Sequence, residues 1–289
     1  MVRKLRVGSL FSGIGGFELG LERAGMEVAW QVEIEPYARR VLAKHWPDVP
    51  RWDDVRTFPP DPGKPWAVDL VCGGFPCQPV SLAGHQKGEE DERWLWDDMC
   101  RVCDTLKPRW VVAENVPGLL SACDGLGRRG ALFGGVLRDL AALGYVVEWH
   151  CLPAGGPGGV GAPHKRLRVW IIGHLPDAVG AGLERLAGNV NDGTEPGRIR
   201  TGQKRPTAAE GLFIDEQRST HWDAKCRLGR ATHGLPDGVD ECGGWECGVD
   251  RVTTGQANRV ARLKGLGNAV VPQVVELIGR AILQTEAAG

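Results

Sequence analysis

Residues 68–78, Val-Asp-Leu-Val-Cys-Gly-Gly-Phe-Pro-Cys-Gln, run from an apolar segment into an abrupt break. The apolar part, 67–72, has the length and composition of a buried strand. Gly73, Gly74 and Pro76 then end it sharply. The break presents a thiol, Cys77, and an amide, Gln78, at the carboxyl end of a strand, the edge where open α/β sheets bind ligands. Cys77 is therefore a candidate nucleophile. The competing reading is a buried structural cysteine, the common fate of this residue type.

The same strand-then-polar logic recurs along the chain. Residues 5–20 read as a strand, a glycine-rich turn and a helix start, and a helix amino terminus can cradle a ligand through its N–H groups. The spacing Gly13-x-Gly15-Gly16 is not the dinucleotide fingerprint. A second strand ends on Glu33, where a carboxylate can take ribose hydroxyls. A short third segment leads to Asp53, Asp54 and Val55. The segment Arg109 to Asn115 is another strand that ends on a carboxylate, Glu114. Strands are predicted near 5–11, 28–33, 67–73, 109–114, 145–151 and 168–173. Helices are predicted near 17–25, 36–46, 91–106 and 131–143. This alternation predicts an α/β fold with a doubly wound, mostly parallel sheet covered on both faces. Cys77 and Glu114 then end strands that can be neighbours. Gly155 to Gly159 form a loop leading to Arg166 and Arg168, expected on one strand at alternate positions sharing a face.

These pieces, in this order, resemble the DNA cytosine-5 methyltransferase family of prokaryotic or phage type. Phe11-Ser12-Gly13-Ile14-Gly15-Gly16 matches its cofactor-loop motif, and Gly74-Phe75-Pro76-Cys77-Gln78 its catalytic motif. Ala113-Glu114-Asn115-Val116 matches its Glu-Asn-Val motif. Residues 161–168 resemble its Gln-Arg-x-Arg motif, and Gly267 to Pro272 match its last motif. The resemblance covers about 1–173 and 259–285. Two positions depart: the family usually has aspartate at Ser9 and glutamine at His164.

The resemblance implies a Rossmann-like methyltransferase domain at 1–173, a small irregular target-recognition lobe at 174–258, and a returning motif and helix at 259–289. It implies S-adenosylmethionine as methyl donor and double-stranded DNA as partner, with a cognate restriction endonuclease acting on the same site as a further one. Carbon 5 of cytosine is too weak a nucleophile to take a methyl group unaided. A thiolate added at carbon 6 makes carbon 5 enamine-like, which assigns Cys77. A carboxyl proton given to the ring stabilises that step, which assigns Glu114. Arg168 is expected to hold the ring carbonyl, and Arg166 to support the site or a phosphate. The base must leave the duplex to be reached.

Cofactor contacts are expected from Phe11, Gly13, Gly15, Gly16, Glu33, Ile34, Asp54, Val55, Pro76 and Asn268, with Gly267 in a turn beside them. DNA contacts are expected from Gln78, Ser81 and Lys87, and from a basic cluster of Arg198, Arg200, Lys204 and Arg205. Residues 82–92 read as a loop that closes over DNA.

Composition sets bounds. A net charge of −1 gives no global basic field, so nucleic-acid binding has to come from a local patch. An apolar content of 42% supports a substantial core. With no long apolar stretch and no signal-like start, the expectation is a soluble, cytoplasmic monomer without membrane contact. Nine cysteines, an odd number, fit reduced thiols. Cys226, His233, Cys242 and Cys247 could hold zinc, but their spacing is loose and no metal is expected. Cys100 and Cys103 fall inside a helix and read as packing. Three rivals are weaker. A transfer-RNA methyltransferase of related fold carries a Cys-Phe-Thr signature absent here. A non-catalytic relative would not need Cys77, Glu114 and Arg168 together. A nicotinamide enzyme lacks its glycine fingerprint and leaves Pro76 and Cys77 unexplained.

Overall fold

The computed structural model describes residues 3–61, 66–76, 94–176 and 258–288. Within them, strands β1 (Arg6–Leu10), β2 (Glu27–Val32), β3 (Arg51–Trp52), β4 (Leu70–Gly73), β5 (Trp110–Asn115), β6 (Val146–Leu152) and β7 (Arg168–His174) form one sheet. Its order is β3-β2-β1-β4-β5-β7-β6. The pairs β2–β3, β1–β2, β1–β4 and β4–β5 are parallel, whereas β7 runs antiparallel to both β5 and β6. The mostly parallel α/β sheet read from the sequence is therefore present.

The α-helices of the described residues are α1 (Gly16–Ala24), α2 (Pro36–His45), α3 (Trp96–Leu106), α4 (Ala131–Ala142), α5 (Arg259–Asn268) and α6 (Pro272–Ala288). Strand β5 is buried along its whole length, as a strand covered on both faces must be. Its alternate residues feed two cores. Val111 and Ala113 join Met99, Val102 and Cys103 of α3 and Leu132, Val136 and Leu140 of α4. Trp110 and Val112 join Phe17 and Leu21 of α1 and Val274, Val275, Ile278 and Ile282 of α6. Cys103 thus packs in the first core, as its place in a helix suggests.

The chain departs from β1 in opposite directions, to β2 on one side and β4 on the other. That is the reversal of strand order beside which open sheets bind ligands. Because β7 is antiparallel, its first residue, Arg168, comes to the same edge as the carboxyl ends of β1, β2, β4 and β5.

Two expectations need correction. Helix α5 was not anticipated: Gly267 and Asn268 are not in a turn but end a helix. Arg166 is not on a strand; β7 begins at Arg168, and Arg166 has a left-handed backbone with φ 28°. The run 259–287 is also long and apolar enough by composition to suggest a membrane span. In the fold it is two helices interrupted before Pro272, and the apolar side of α6 is buried against α1.

The α1–α6 contact is close because glycines sit in it. A Cβ at Gly20 would lie 2.5 Å from Val275 Cβ and 2.6 Å from the Pro272 carbonyl oxygen. In an exposed helix Gly→Ala is stabilising by about 1 kcal/mol. Here overpacking against backbone wins, so Gly20→Ala is expected to destabilise by about 1–3 kcal/mol. Chemical denaturation measures this, and a stabilised variant would contradict the packing.

Candidate active site

The edge where β1, β2, β4 and β5 end holds a cleft of about 410 Å³. Its floor and walls come from Phe11 and Gly13 after β1, Glu33 and Ile34 after β2, Asp54 and Val55 after β3, Gly74 and Pro76 after β4, and Glu114 on β5. Arg166 and Arg168 line it from the β7 side, and Lys264, Gly265, Gly267 and Asn268 from α5. Residues far apart in the sequence thus meet, those from β1 to β5 because parallel strands deliver their ends to one edge.

Phe11 leaves β1 with a left-handed backbone, φ 52°, a conformation costly for a large side chain. Surrounding contacts hold it. The Ser12 N–H donates to the Val32 carbonyl at 3.1 Å. The Gly13 N–H donates to Glu33 Oε2 at 2.6 Å. Glu33 also accepts the Glu35 N–H at 2.7 Å, so its carboxylate pins two loops. Burial pushes the Glu33 pKa up, and the N–H groups of Glu35 and Gly13 pull against that rise. Ile34 stands 58% exposed on the cleft wall, an apolar face without a covering side chain among the described residues. Asp54 accepts hydrogen bonds from the Arg56 Nε at 2.9 Å and its backbone N–H at 3.0 Å. Those bonds hold its pKa below the usual carboxylate value.

Deeper in, Glu114 Oε1 lies 3.0 Å from Arg168 Nε. That distance makes an ion pair, yet Oε1 accepts no well-aligned hydrogen bond and is sealed from water. Burial pushes the Glu114 pKa up to about 6, against Arg168 first and Arg166 second, which both pull it down. Arg166 donates to the carbonyls of Gly267 at 2.9 Å and Ala269 at 2.6 Å, clasping the end of α5. Its own pKa is lowered by burial and by Arg168. The arrangement offers a carboxyl group that carries or releases a proton near neutral pH, beside two cations.

Asn115 belongs to the site although the sequence reading passed over it. It is buried, lines the cleft, and donates from Nδ2 to the Phe75 carbonyl at 3.1 Å. It thereby ties β5 to the residue before Pro76. Phe75 is wedged against Trp96 at 4.9 Å and Trp94 at 5.7 Å between ring centroids. The signal was present, since Asn115 directly follows Glu114 in a recognised motif. Lys264 was also missed; it pairs with Glu35 at the cleft rim.

Gly15 and Gly16 do not line this cleft. A Cβ at Gly15 would meet the Trp46 ring at 2.4 Å, and one at Gly16 would meet Val270 Cγ2 at 2.8 Å. Both glycines serve close packing, and they face a second cavity of about 560 Å³ that also touches His164 and Val270. Ser9 is fully buried on β1 rather than facing the cleft. Cys77, Gln78, Ser81, Lys87, the loop 82–92, the cluster Arg198, Arg200, Lys204 and Arg205, and the set Cys226, His233, Cys242 and Cys247 lie outside the described residues.

Comparison with known proteins agrees with this geometry. Residues 5–206 match the family model described as C-5 cytosine-specific DNA methylase. The type II methyltransferase M.NgoBV of Neisseria gonorrhoeae is 33% identical over 183 residues, covering 60% of this chain and 42% of that protein. The type II methyltransferase M.NaeI of Lentzea aerocolonigenes is 29% identical over 321 residues, covering 97% of this chain and 75% of its own length. The chain thus spans under half the length of the first of these relatives. The crystal structure of S. pombe Dnmt2 methyltransferase shares the fold, with a TM-score of 0.56 at 16% identity, covering 98% and 99% of the two chains.

The Glu114–Arg168 pair gives a direct test. Arg168 is the largest influence holding the Glu114 pKa down, so Arg168→Gln is expected to raise that pKa above its value of about 6. A carboxyl titration followed by NMR reads the shift; an unchanged or lowered value would contradict the pairing.

Proposed function

The chain belongs to the C-5 cytosine-specific DNA methylase family, and from that premise we propose that it methylates carbon 5 of cytosine in double-stranded DNA. The observation that carries this reading is the meeting of Glu114 and Arg168 with Phe11, Glu33 and Ile34 in one cleft. Pro76, on the cleft wall, is followed directly in the chain by Cys77.

The donor half of the cleft suits S-adenosylmethionine. Phe11 and exposed Ile34 offer apolar faces to a flat ring. Glu33 holds carboxylate oxygens at the edge where ribose hydroxyls are taken. Asp54 and Val55 close the adenine end, and Asn268 braces the wall opposite. When bound, S-adenosylmethionine supplies the methyl group.

The acceptor half is read as follows. The Cys77 thiolate adds to carbon 6 of a flipped-out cytosine. Negative charge moves into the ring, and Glu114 gives a proton towards nitrogen 3. Arg168 faces the ring carbonyl while Arg166 keeps the α5 end in place. After carbon 5 has taken the methyl group, its proton passes to water, the Cys77 thiolate is expelled, and the proton on nitrogen 3 returns to Glu114, which frees the product. A carboxyl group poised near pH 6 suits this exchange, because it is close to balance between donor and base.

The target-reading role is assigned to 174–258, with Arg198, Arg200, Lys204 and Arg205 contacting phosphates and Gln78, Ser81 and Lys87 contacting DNA beside the flipped base. The type II names of the relatives support a cognate restriction endonuclease acting on the same site.

Two experiments test the reading. Fluorine at carbon 5 cannot leave as a proton. A duplex carrying 5-fluorocytosine at the target is therefore expected to trap the protein covalently at Cys77 when the methyl donor is present, and Cys77→Ser is expected to form no adduct. Peptide mass mapping identifies the residue. Methylation of ordinary DNA without any adduct would exclude the covalent route. For the donor half, Glu33→Ala is expected to weaken S-adenosylmethionine binding by about 1–3 kcal/mol, the effect of leaving buried partners unpaired. Calorimetry showing unchanged affinity would remove Glu33 from the site.

A further inference from the structure

Glu18 is a buried acid that the reaction does not use. It lies in the first turn of α1, is 0% exposed, and does not line the cleft. Gln31 Nε2, on β2, reaches its Oε1 at 3.4 Å. Its other oxygen, Oε2, is shut off from water without an aligned hydrogen bond. The hydroxyls of Ser9 and Ser12 stand beside it as hydrogen-bonding neighbours. Those hydroxyls are 3.0 Å apart, and the Ser12 hydroxyl also donates to the Ser9 carbonyl at 3.2 Å. A serine hydroxyl rotates freely and both donates and accepts. A proton on Glu18 lets Oε2 donate to a serine oxygen, whereas the anion depends on the serine hydroxyls turning towards it against the effect of burial.

Ser12 stands between Phe11 and Gly13, both on the cleft wall and both with left-handed backbones, φ 52° and φ 57°. The strain at Phe11 persists only while its neighbours are fixed. On one side Leu10 is buried in the sheet; on the other Ser12 is the anchor. We propose that Glu18 is a positioning residue for the methyl-donor site, keying Ser9 and Ser12 from beneath so that Phe11 and Gly13 keep the shape the donor binds. The inference rests on reading the cleft as the S-adenosylmethionine site.

The charged surroundings make the role dependent on pH. Burial pushes the Glu18 pKa up to about 7. From β4 the thiol of Cys72 faces it, and burial together with Glu18 pushes that thiol well above its ordinary range, so it stays neutral. From β2 the facing group is Gln31, whose carbonyl accepts from Arg51 Nη1 at 3.4 Å on its far side. From β1 it is neutral Ser9. Ionising Glu18 as pH rises through about 7 would remove its donor and leave a buried charge under the loop.

Calorimetric titration of S-adenosylmethionine into the full chain tests this, with thermal unfolding recorded in parallel. Glu18→Ala and Ser12→Ala are each expected to weaken affinity at neutral pH by roughly tenfold, the scale of one buried partner left unpaired. Glu18→Gln keeps a donor and is expected to retain the affinity. Wild-type affinity should fall between about pH 6 and about pH 8 more steeply than that of Glu18→Gln. Glu33 and Glu114 titrate in both proteins, so the difference between them isolates Glu18. Wild type binding tightly, with Ser12→Ala unchanged and identical pH profiles for wild type and Glu18→Gln, would overturn the inference alone. No binding by the folded wild type would overturn the cofactor reading, and the inference with it.

Discussion

The seating of α6 on α1 is the contact on which the cleft depends. Three glycines allow it. Gly20 lies under Val275 and the Pro272 carbonyl, Gly279 lies against Ala24 and Leu21, and Gly16 lies under Val270. Each lacks a Cβ where one would fall inside 3 Å of a neighbour. The chain leaves the sheet after β7 and is described again from Asn258, so α5 has no strand to fix its place. Alone it buries no residue. Its position follows from α6, which is anchored by Val274, Val275, Ile278 and Ile282 in the core. Arg166 then clasps the carbonyls of Gly267 and Ala269. Helix packing some distance from the chemistry thereby fixes the wall that carries Lys264, Gly265 and Asn268.

The sheet and most helices were legible in the sequence because their apolar residues recur with the right period. β5 reads as a continuous apolar run because both its faces are covered. Its carboxylate end, like that of β2, was visible as an acid following such a run. Helix α5 was not legible for the complementary reason. It buries no residue, its apolar Val260, Leu263 and Leu266 are left exposed, and Gly265 and Gly267 weaken its helical pattern. Arg166 was misplaced because alternation is a rule for residues inside a strand, and the strand starts two residues later.

The glycines of the first loop mark a different limit. Gly13, Gly15 and Gly16 belong to one motif and share one residue type. Gly13 faces the cleft, whereas Gly15 meets a tryptophan ring and Gly16 meets Val270. A glycine records that some atom comes close, or that φ is positive, and nothing about which atom. That neighbour is a tertiary fact, set by where Trp46 and Val270 return to the loop. The hydrogen bonds of Glu33 have the same character. An acid after a strand was readable, but its use in pinning Gly13 and Glu35 depends on loop geometry.

Three buried acids on this sheet edge show how environment divides one chemistry into separate roles. Glu18, Glu33 and Glu114 all have raised pKa values, and in each the first cause is loss of water. What opposes that loss differs. Glu33 has backbone N–H groups, which favour the anion and suit a fixed acceptor. Glu18 has neutral side chains and its own backbone N–H, with no cation beside it, and its pKa is pushed up to about 7. Glu114 alone faces arginines. Arg168 at 3.0 Å would by itself make a strong carboxylate, and burial by itself a weak acid. Burial outweighs the arginines by a modest margin, which leaves the group near 6 rather than at either extreme. A carboxyl so balanced can give up a proton and recover it without a large change in either direction. The antiparallel β7 is what makes the balance possible, because only a strand starting at this edge could bring Arg168 against the end of β5.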